Sequence, residues 1–426
     1  MVNSNFLFAA VTTLWSSALA SPMAVANGPP GSIIQGHYLI ALKPGLQPRD
    51  LDAHLDWVDG FHKRGLSPDQ FRGVERTYYG KTSFHGYAGH FDQNTIETIR
   101  QAPEVAAVEE DRVWELDYLE SGSDVKTTAF QTRTKSLRKR TFSTQSNSSW
   151  GLGAISHRKK GATDYVYNER AGKGTFAYIV DSGIRISHDE FEGRAKSPFT
   201  AFNSSGDMGD TFGHGTHVAA TIGGKTYGVA KKAELLGVKV FQGRRSATSI
   251  ILAGFNWAVN DIVDRRRTKS AVINMSLGGS YSNLFNLAVE TAAEEGVISI
   301  VAAGNEASDA SAFSPASAPN AITVAAIDKN WTLAEYSNFG KAVDLFGPGS
   351  KITSAWIGSD SDSKAISGTS MATPHVVGLA LSAISVDYIK GLGEVTQYLK
   401  DTATEGQITG DLFSSPNLVG YNNIDG

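Results

Sequence analysis

Phe176-Ala177-Tyr178-Ile179-Val180-Asp181-Ser182-Gly183 is the stretch on which the fold turns. Five apolar residues in a row suit a strand buried on both faces, and the carboxylate and glycine that follow suit its exit. The same shape recurs downstream. Apolar runs at 235–240, 271–275, 297–302 and 322–325 are separated by helix-like stretches such as 249–267 and 283–295. Strands alternating with helices imply an α/β unit with a parallel sheet covered on both faces. In such sheets, sites collect at the carboxyl ends of the strands. That makes Asp181 a candidate, although a strand-end Asp is also an ordinary turn or cap residue.

Three further segments carry chemistry. In Gly213-His214-Gly215-Thr216-His217 the glycines let the backbone at His214 approach another group closely. A His-x-x-His pair can also bind metal, but no Glu follows His214 as a zincin requires. Ser367-Gly368-Thr369-Ser370-Met371-Ala372-Thr373-Pro374-His375 takes a glycine turn into an apolar helix, with Pro374 expected in its first turn. A serine there faces free backbone N–H groups, or it simply caps the helix. Ala302-Ala303-Gly304-Asn305 ends another strand, so Asn305 is either a turn residue or an amide aimed into the same crevice. The set Asp181, His214, Asn305 and Ser370 is what nucleophilic catalysis needs. An imidazole takes the serine proton, a carboxylate fixes its tautomer, and preorganised donors hold the oxyanion.

These segments, read with 178–184 and 213–219, resemble the subtilisin superfamily. The match runs from Trp150-Gly151-Leu152 to about Tyr421 and is similar to the proteinase K branch, in particular to secreted proteases of keratin-degrading fungi. The resemblance implies a three-layer fold around a mainly parallel sheet and a serine endopeptidase that uses no catalytic metal. It also implies two walls of a side-chain pocket, Ser276-Leu277-Gly278 and Ala302-Ala303-Gly304, suited to large apolar or aromatic groups. Leu236-Gly237 and the loop after them would pair with extended substrate by strand addition. Arg244 and Arg245 stand in that loop where a glycine-rich, tyrosine-bearing stretch is expected, which suggests tolerance of acidic substrate side chains. One structural calcium is implied at Asp328 with the carbonyls of Pro319 and Ala321. A second is not, because Arg158 stands where a small hydroxyl residue is expected. Val218 replaces the cysteine of the branch.

Upstream, residues 37–119 read as β, α, β, α, β and resemble the family's inhibitory propeptide, a small α+β ferredoxin-like domain. The chain's own propeptide is thus its expected intramolecular inhibitor. Residues 120–149 are rich in Ser, Thr, Gln and basic residues and read as an exposed linker. Arg138-Lys139-Arg140 within it is either a solvated charge run or a cleavage site. Residues 1–20 read as a signal peptide, apolar through Trp15 and closing on Ala18-Leu19-Ala20, although no Lys or Arg precedes the apolar part. A short buried helix or anchor is the alternative. The expected division is signal 1–20, propeptide 21–140 and catalytic domain 141–426. No later stretch reads as long and apolar enough to span a bilayer, so a secreted, extracellular monomer acting on proteins is expected.

Composition agrees with a globular protein. The 426 residues are 41% hydrophobic and 19% charged with net charge -4, which points to no nucleic-acid partner. There is no cysteine, hence no disulfide. Asn147, Asn203 and Asn330 begin glycan acceptor triplets. Asn274 does too, but in a strand read as buried, and is expected bare. Rival motifs fail. An α/β-hydrolase needs Gly two residues after the serine, where Ala372 stands, and a P-loop before Gly224-Lys225-Thr226 needs Gly where Ala219 stands. A convertase would need a further domain after Ser370. An inactive relative acting as a binding protein would show a broken triad.

Overall fold

The computed structural model describes residues 28–424 apart from 47, 64–69, 81–83, 117, 121–131, 138–139 and 203–207. The signal assignment at 1–20 and Asn203 therefore lie outside the described residues. The chain begins with β1 (Ile33–Leu42), α1 (Pro48–His62), β2 (Gly73–Tyr78), β3 (Gly86–His90), α2 (Gln93–Arg100) and β4 (Val105–Glu115). The strands lie in the order β4-β1-β3-β2. This is the expected ferredoxin-like domain with one more strand than the sequence reading gave. β2 carries Glu75, Arg76 and Thr77 and buries only its two ends, so no apolar run announces it.

Side-chain alternation along β1 shows how this domain is used. Ile40 and Leu42 point into its own core with Leu51, Val58, Phe91 and Ile96. Leu39 and Ala41 point the other way, into a core shared with the large domain. There β4 places two carboxylates on helix starts. Glu109 accepts from Leu284 N at 2.8 Å and Ser282 Oγ at 2.6 Å, and the buried Asp111 accepts from Ser249 N at 3.1 Å. The orphan donors of two helices are thereby satisfied from outside their own domain.

Next come β5 (Leu119–Glu120), β6 (Thr132–Leu137), β7 (Arg140–Gln145), α3 (Trp150–Ser156) and β8 (Tyr165–Asn168). β6, β7 and β8 form an antiparallel three-stranded sheet, so the expected linker is in part ordered. Its Thr residues supply β propensity without apolar periodicity, which is why composition read it as a linker.

The large domain follows with β9 (Phe176–Asp181), β10 (Ala195–Thr200), α4 (His214–Gly223), β11 (Glu234–Lys239), β12 (Arg245–Ala247), α5 (Thr248–Asp264), β13 (Ala271–Met275), β14 (Gly279–Ser280), α6 (Asn283–Glu294), β15 (Ile298–Ala302), β16 (Phe313–Ser314), β17 (Ile322–Ile327) and β18 (Leu345–Pro348). It closes with β19 (Ile352–Ala355), β20 (Ser363–Ser367), α7 (Thr369–Ser382), α8 (Leu392–Thr402), β21 (Thr404–Glu405) and β22 (Leu418–Val419). The main sheet has the order β10-β11-β9-β13-β15-β17-β18-β22-β21, and all its pairings are parallel except β21 with β22. Ala177 and Ile179 face a core built with α4 and α7, while Tyr178 and Val180 face one built with α5 and α6. These are the three layers expected.

One sequence expectation changes here. Thr369–Asp387 is long and apolar enough to cross a membrane by length and composition, contrary to the reading above. Its apolar window is 89% buried inside the protein, as befits a core helix.

Candidate active site

Parallel strands bring β9, β13 and β15 to one edge of the sheet at their carboxyl ends. Asp181 ends β9, Ser276 follows β13 directly, and Asn305 lies three residues beyond β15. α4 and α7 start beside this edge with His214 and, one residue in, Ser370.

Glycines make the approach possible. Gly213 has φ +104°, and a side chain on it would strike the Trp356 ring at 2.6 Å. A Cβ at Gly215 would lie 2.2 Å from the Gly183 carbonyl, so α4 meets the end of β9 in close contact. His214 Nδ1 consequently sits 2.9 Å from both carboxylate oxygens of Asp181. Both residues are fully buried. With Nδ1 donating to Asp181, Nε2 is the ring nitrogen whose lone pair is left over. Nε2 is buried with no hydrogen-bond partner among the described residues.

Ser370 Oγ donates to the Ser276 carbonyl at 3.0 Å, and in return Ser276 Oγ donates to the Ser370 carbonyl at 2.8 Å. The second bond has a cause in the sequence. Pro374 lies in the second turn of α7, not the first, and has no N–H to give the Ser370 carbonyl. Ser276 fills the vacancy, so this residue, expected as a pocket wall, also anchors the candidate nucleophile. Asn305 Oδ1 accepts from Thr369 N at 2.8 Å and Thr369 Oγ1 at 3.0 Å, which fixes the amide beside the first turn of α7. First-turn N–H groups there have no intrahelical acceptor. Leu277, Ala302 and Ala303 are buried at the ends of adjoining strands.

Two supporting residues, Asp210 and Lys239, escaped the sequence reading. Asp210 accepts from Phe212 N, Gly213 N, Thr216 N, Thr216 Oγ1 and Ser182 Oγ at 2.7–2.9 Å, shaping the entry to α4. Lys239 is buried opposite Asp181 in the sheet and donates to the carbonyls of Ser182 at 3.1 Å and Gly209 at 2.6 Å. Its signal was a lone cation inside an apolar strand. His217 Nε2 lies 2.9 Å from the Ile352 carbonyl, and burial pushes its pKa down to about 3.

A strap of the chain's own N-terminal domain covers the site. Val113–Glu115 pair antiparallel with Arg245–Ala247, Leu116 N donates to the Arg244 carbonyl at 2.8 Å, and Leu119–Glu120 pair with Ile366–Ser367. Beneath it Ser370 is only 4% exposed. The strap corrects the sequence reading of Leu236 and Gly237. Both lie in β11, bonded to β10 on one side and β9 on the other, so their backbone is spent within the sheet. The strand that accepts an extended partner is β12. Arg244 Nη2 and Arg245 Nε lie 3.0 and 3.3 Å from the carboxylate of Glu115 on the strap.

The expected calcium trio does not assemble. Pro319 and Ala321 precede β17 and Asp328 follows it, so roughly 20 Å of extended strand separates them. Asp328 instead closes its own turn, accepting from Asn330 N and Thr332 N at 2.9 and 3.0 Å. The carboxylate at the start of β17 is Asp344, which accepts from Thr323 N at 2.8 Å and pairs with Lys400 at 2.6 Å. Among the described residues no group of three or more His, Cys, Asp or Glu gathers as a metal site. Asn147 and Asn330 are exposed, whereas Asn274 is buried and donates to Ser276 Oγ at 3.0 Å.

The fold and this arrangement define a hydrolase of the subtilisin type. Residues 172–421 match the Subtilase family and residues 37–117 match Peptidase inhibitor I9. The chain belongs to the subtilase family of serine proteases and carries its own inhibitor domain. It is 50% identical to Alkaline protease 1 of Aspergillus clavatus over 96% of each chain. It is 39% identical to a cuticle-degrading serine protease of Arthrobotrys oligospora over 99% of each. A crystal structure of a cold adapted subtilisin-like serine proteinase superposes with TM-score 0.60 at 38% identity, covering 66% of this chain and all of that one.

Proposed function

We propose that this protein is the zymogen of a secreted endopeptidase that works above neutral pH and breaks down external proteins such as keratin or cuticle. The observation that carries the reading is the strap. Val113–Glu115 pair with strand β12 on one side of the site and Leu119–Glu120 with β20 on the other, as the two halves of a peptide substrate would. In this reading His214 Nε2 takes the proton of Ser370 Oγ as that oxygen attacks a peptide carbonyl. Asp181 orients the imidazole and stabilises its cation. The Asn305 amide and the Ser370 backbone N–H hold the oxyanion. His214 then returns the proton to the leaving amine, and water repeats the cycle on the acyl-enzyme. Ser276-Leu277-Gly278 and Ala302-Ala303-Gly304 hold a large apolar or aromatic side chain before the cut.

The same reading divides the chain into signal 1–20, propeptide 21–140 and mature enzyme 141–426, with glycans on Asn147, Asn203 and Asn330. The mature enzyme acts as a monomer. Structural calcium belongs to it at the level of the fold only, with no donors assigned. The basic triplet Arg138-Lys139-Arg140 ends on Arg140, which opens β7 and pairs with Leu137. That suits a dibasic-specific protease, and a Ser370→Ala precursor should then still yield mature product.

The test compares secreted parent with Ser370→Ala on casein and with a serine-directed phosphonylating probe. Cleavage and labelling are expected in the parent alone. A processed, folded parent that does neither would make the protein an inactive binding relative. For the subsite at Arg244 and Arg245, Glu in place of Leu at the matching substrate position should be tolerated by the parent. That tolerance should fall about two- to fivefold in Arg244→Ala with Arg245→Ala, as partly exposed ion pairs allow. Equal discrimination in both enzymes would remove these arginines from that role.

A further inference from the structure

The strap also reports on the opposite side of the cleft, where the leaving half of a substrate would lie. Leu116 is bonded to Arg244, on the side of β12, and Leu119 is paired with Ser367, on the side of β20 that the leaving half would take. Tyr118 stands between them in the chain. Its ring stacks on His214, the group that protonates the leaving amine, with centroids 6.1 Å apart and planes 24° apart. It also meets Phe212 at 5.6 Å and the edge of Trp356 at 6.0 Å. Lys364 closes the set, its ammonium 5.5 Å from the Tyr118 ring and 4.6 Å from that of Trp356. The same ammonium donates to Glu120 Oε1 at 2.9 Å.

The enclosure is built rather than incidental. Trp356 is seated against Gly213, where any side chain would collide with the indole, and its backbone N–H donates to the Asp362 carbonyl at 2.9 Å. Phe212 is placed by the N–H that Asp210 accepts at 2.9 Å. The residues that hold His214 therefore also hold two aromatic walls beside it.

We propose that Phe212, Trp356 and Lys364, with the face of His214, form a leaving-side subsite that selects an aromatic residue directly after the cut bond and an acidic residue two positions later. Ring against ring and ring against ammonium are the attractive contacts, and Lys364 supplies the opposite charge for the acid. The inference rests on the endopeptidase reading and adds to it the recognition of the leaving half. Aromatic contacts of this kind predict about a five- to twentyfold preference for Tyr over Ala at that position.

The experiment uses the mature enzyme and internally quenched peptides that share one acyl side. They carry Tyr or Ala after the cut, and Glu or Ala two residues further on. A peptide anilide with the same acyl side but no residue after the cut is the control. Product masses verify the bond cleaved. In the parent, kcat/KM should favour Tyr over Ala about tenfold, shrinking to under about threefold in Trp356→Ala. The gain from Glu should vanish in Lys364→Ala, a partly exposed position that should fold even if Trp356→Ala does not. A parent that hydrolyses the anilide but treats Tyr and Ala alike overturns this inference and leaves the endopeptidase reading standing. So does an undiminished Tyr preference in folded Trp356→Ala. A parent that cuts neither peptide nor anilide overturns both.

Discussion

At the scale of the residue, the proposed mechanism gives Asn305 two ends with different duties. Its carbonyl oxygen is held by Thr369 N and Oγ1, so the amide cannot turn over without losing both bonds. A donor fixed in this way is already in place when charge develops on the substrate oxygen, and no reorganisation is needed at that moment. Asn305→Ala should lower kcat by about 10²–10³ with little change in KM, the loss seen when a subtilisin relative is stripped of such a donor. Steady-state kinetics on a chromogenic peptide check this. An unchanged kcat would remove Asn305 from oxyanion binding. The placement of Asp181, His214, Asn305 and Ser370 at strand ends and helix starts was legible in the sequence, because apolar runs and glycine turns mark those positions. Ser276 was half legible. The sequence places it beside the pocket, but its bond to the Ser370 carbonyl depends on the missing N–H of Pro374, ninety-odd residues away.

At the scale of the element, the start of α4 depends on one side chain outside it. Gly213, the residue before the helix, has no side chain to cap it, and Asp210 takes that part by accepting from Gly213 N and Thr216 N. Asp210→Ala should destabilise the protein by about 1–3 kcal/mol through unmet donors. It should also reduce kcat, since His214 opens that helix. Thermal midpoints measured in a Ser370→Ala background, which prevents self-digestion, give the first effect. Activity of the single variant gives the second. If neither moves, the turn before α4 is held by other bonds. Elements were also where sequence reasoning went astray. Leu236 and Gly237 lie in a strong apolar strand, and no local pattern tells a strand with two neighbours from one with a free edge. Asp328 and Ala321 are close in sequence yet stand at opposite ends of β17, which an extended chain makes unavoidable once the strand is known. The polar β6–β7 hairpin lacks the apolar alternation that marks a half-buried strand. The helix-to-strand alternation of the large domain did predict its layers, because two-sided burial writes itself as unbroken apolar runs.

At the scale of the whole molecule, the buried histidines set a direction for acid sensitivity. His217 and His375 are both buried, and burial lowers their pKa values to about 3 and about 4. In the unfolded chain each titrates near 6.5. Above pH 6.5 both are neutral folded or unfolded, and they add no pH slope. As pH falls from 6.5 towards 4, the unfolded chain takes up two protons that the folded protein refuses, so folding loses stability. The loss is about 1.4 kcal/mol per pH unit for each histidine, or about 4 kcal/mol for the pair at pH 5. That is a large part of the 5–15 kcal/mol of an ordinary domain. His375→Gln should therefore flatten the acid side of the stability profile by about 1.4 kcal/mol per pH unit, whatever it does to stability at pH 8. Denaturant unfolding of Ser370→Ala with and without His375→Gln, at pH 8, 6 and 5, isolates the term because all other titrating groups cancel in the difference. Parallel profiles would mean that His375 is protonated in the folded protein as readily as in the unfolded one, and that burial in the core of α7 imposes no penalty on its charge.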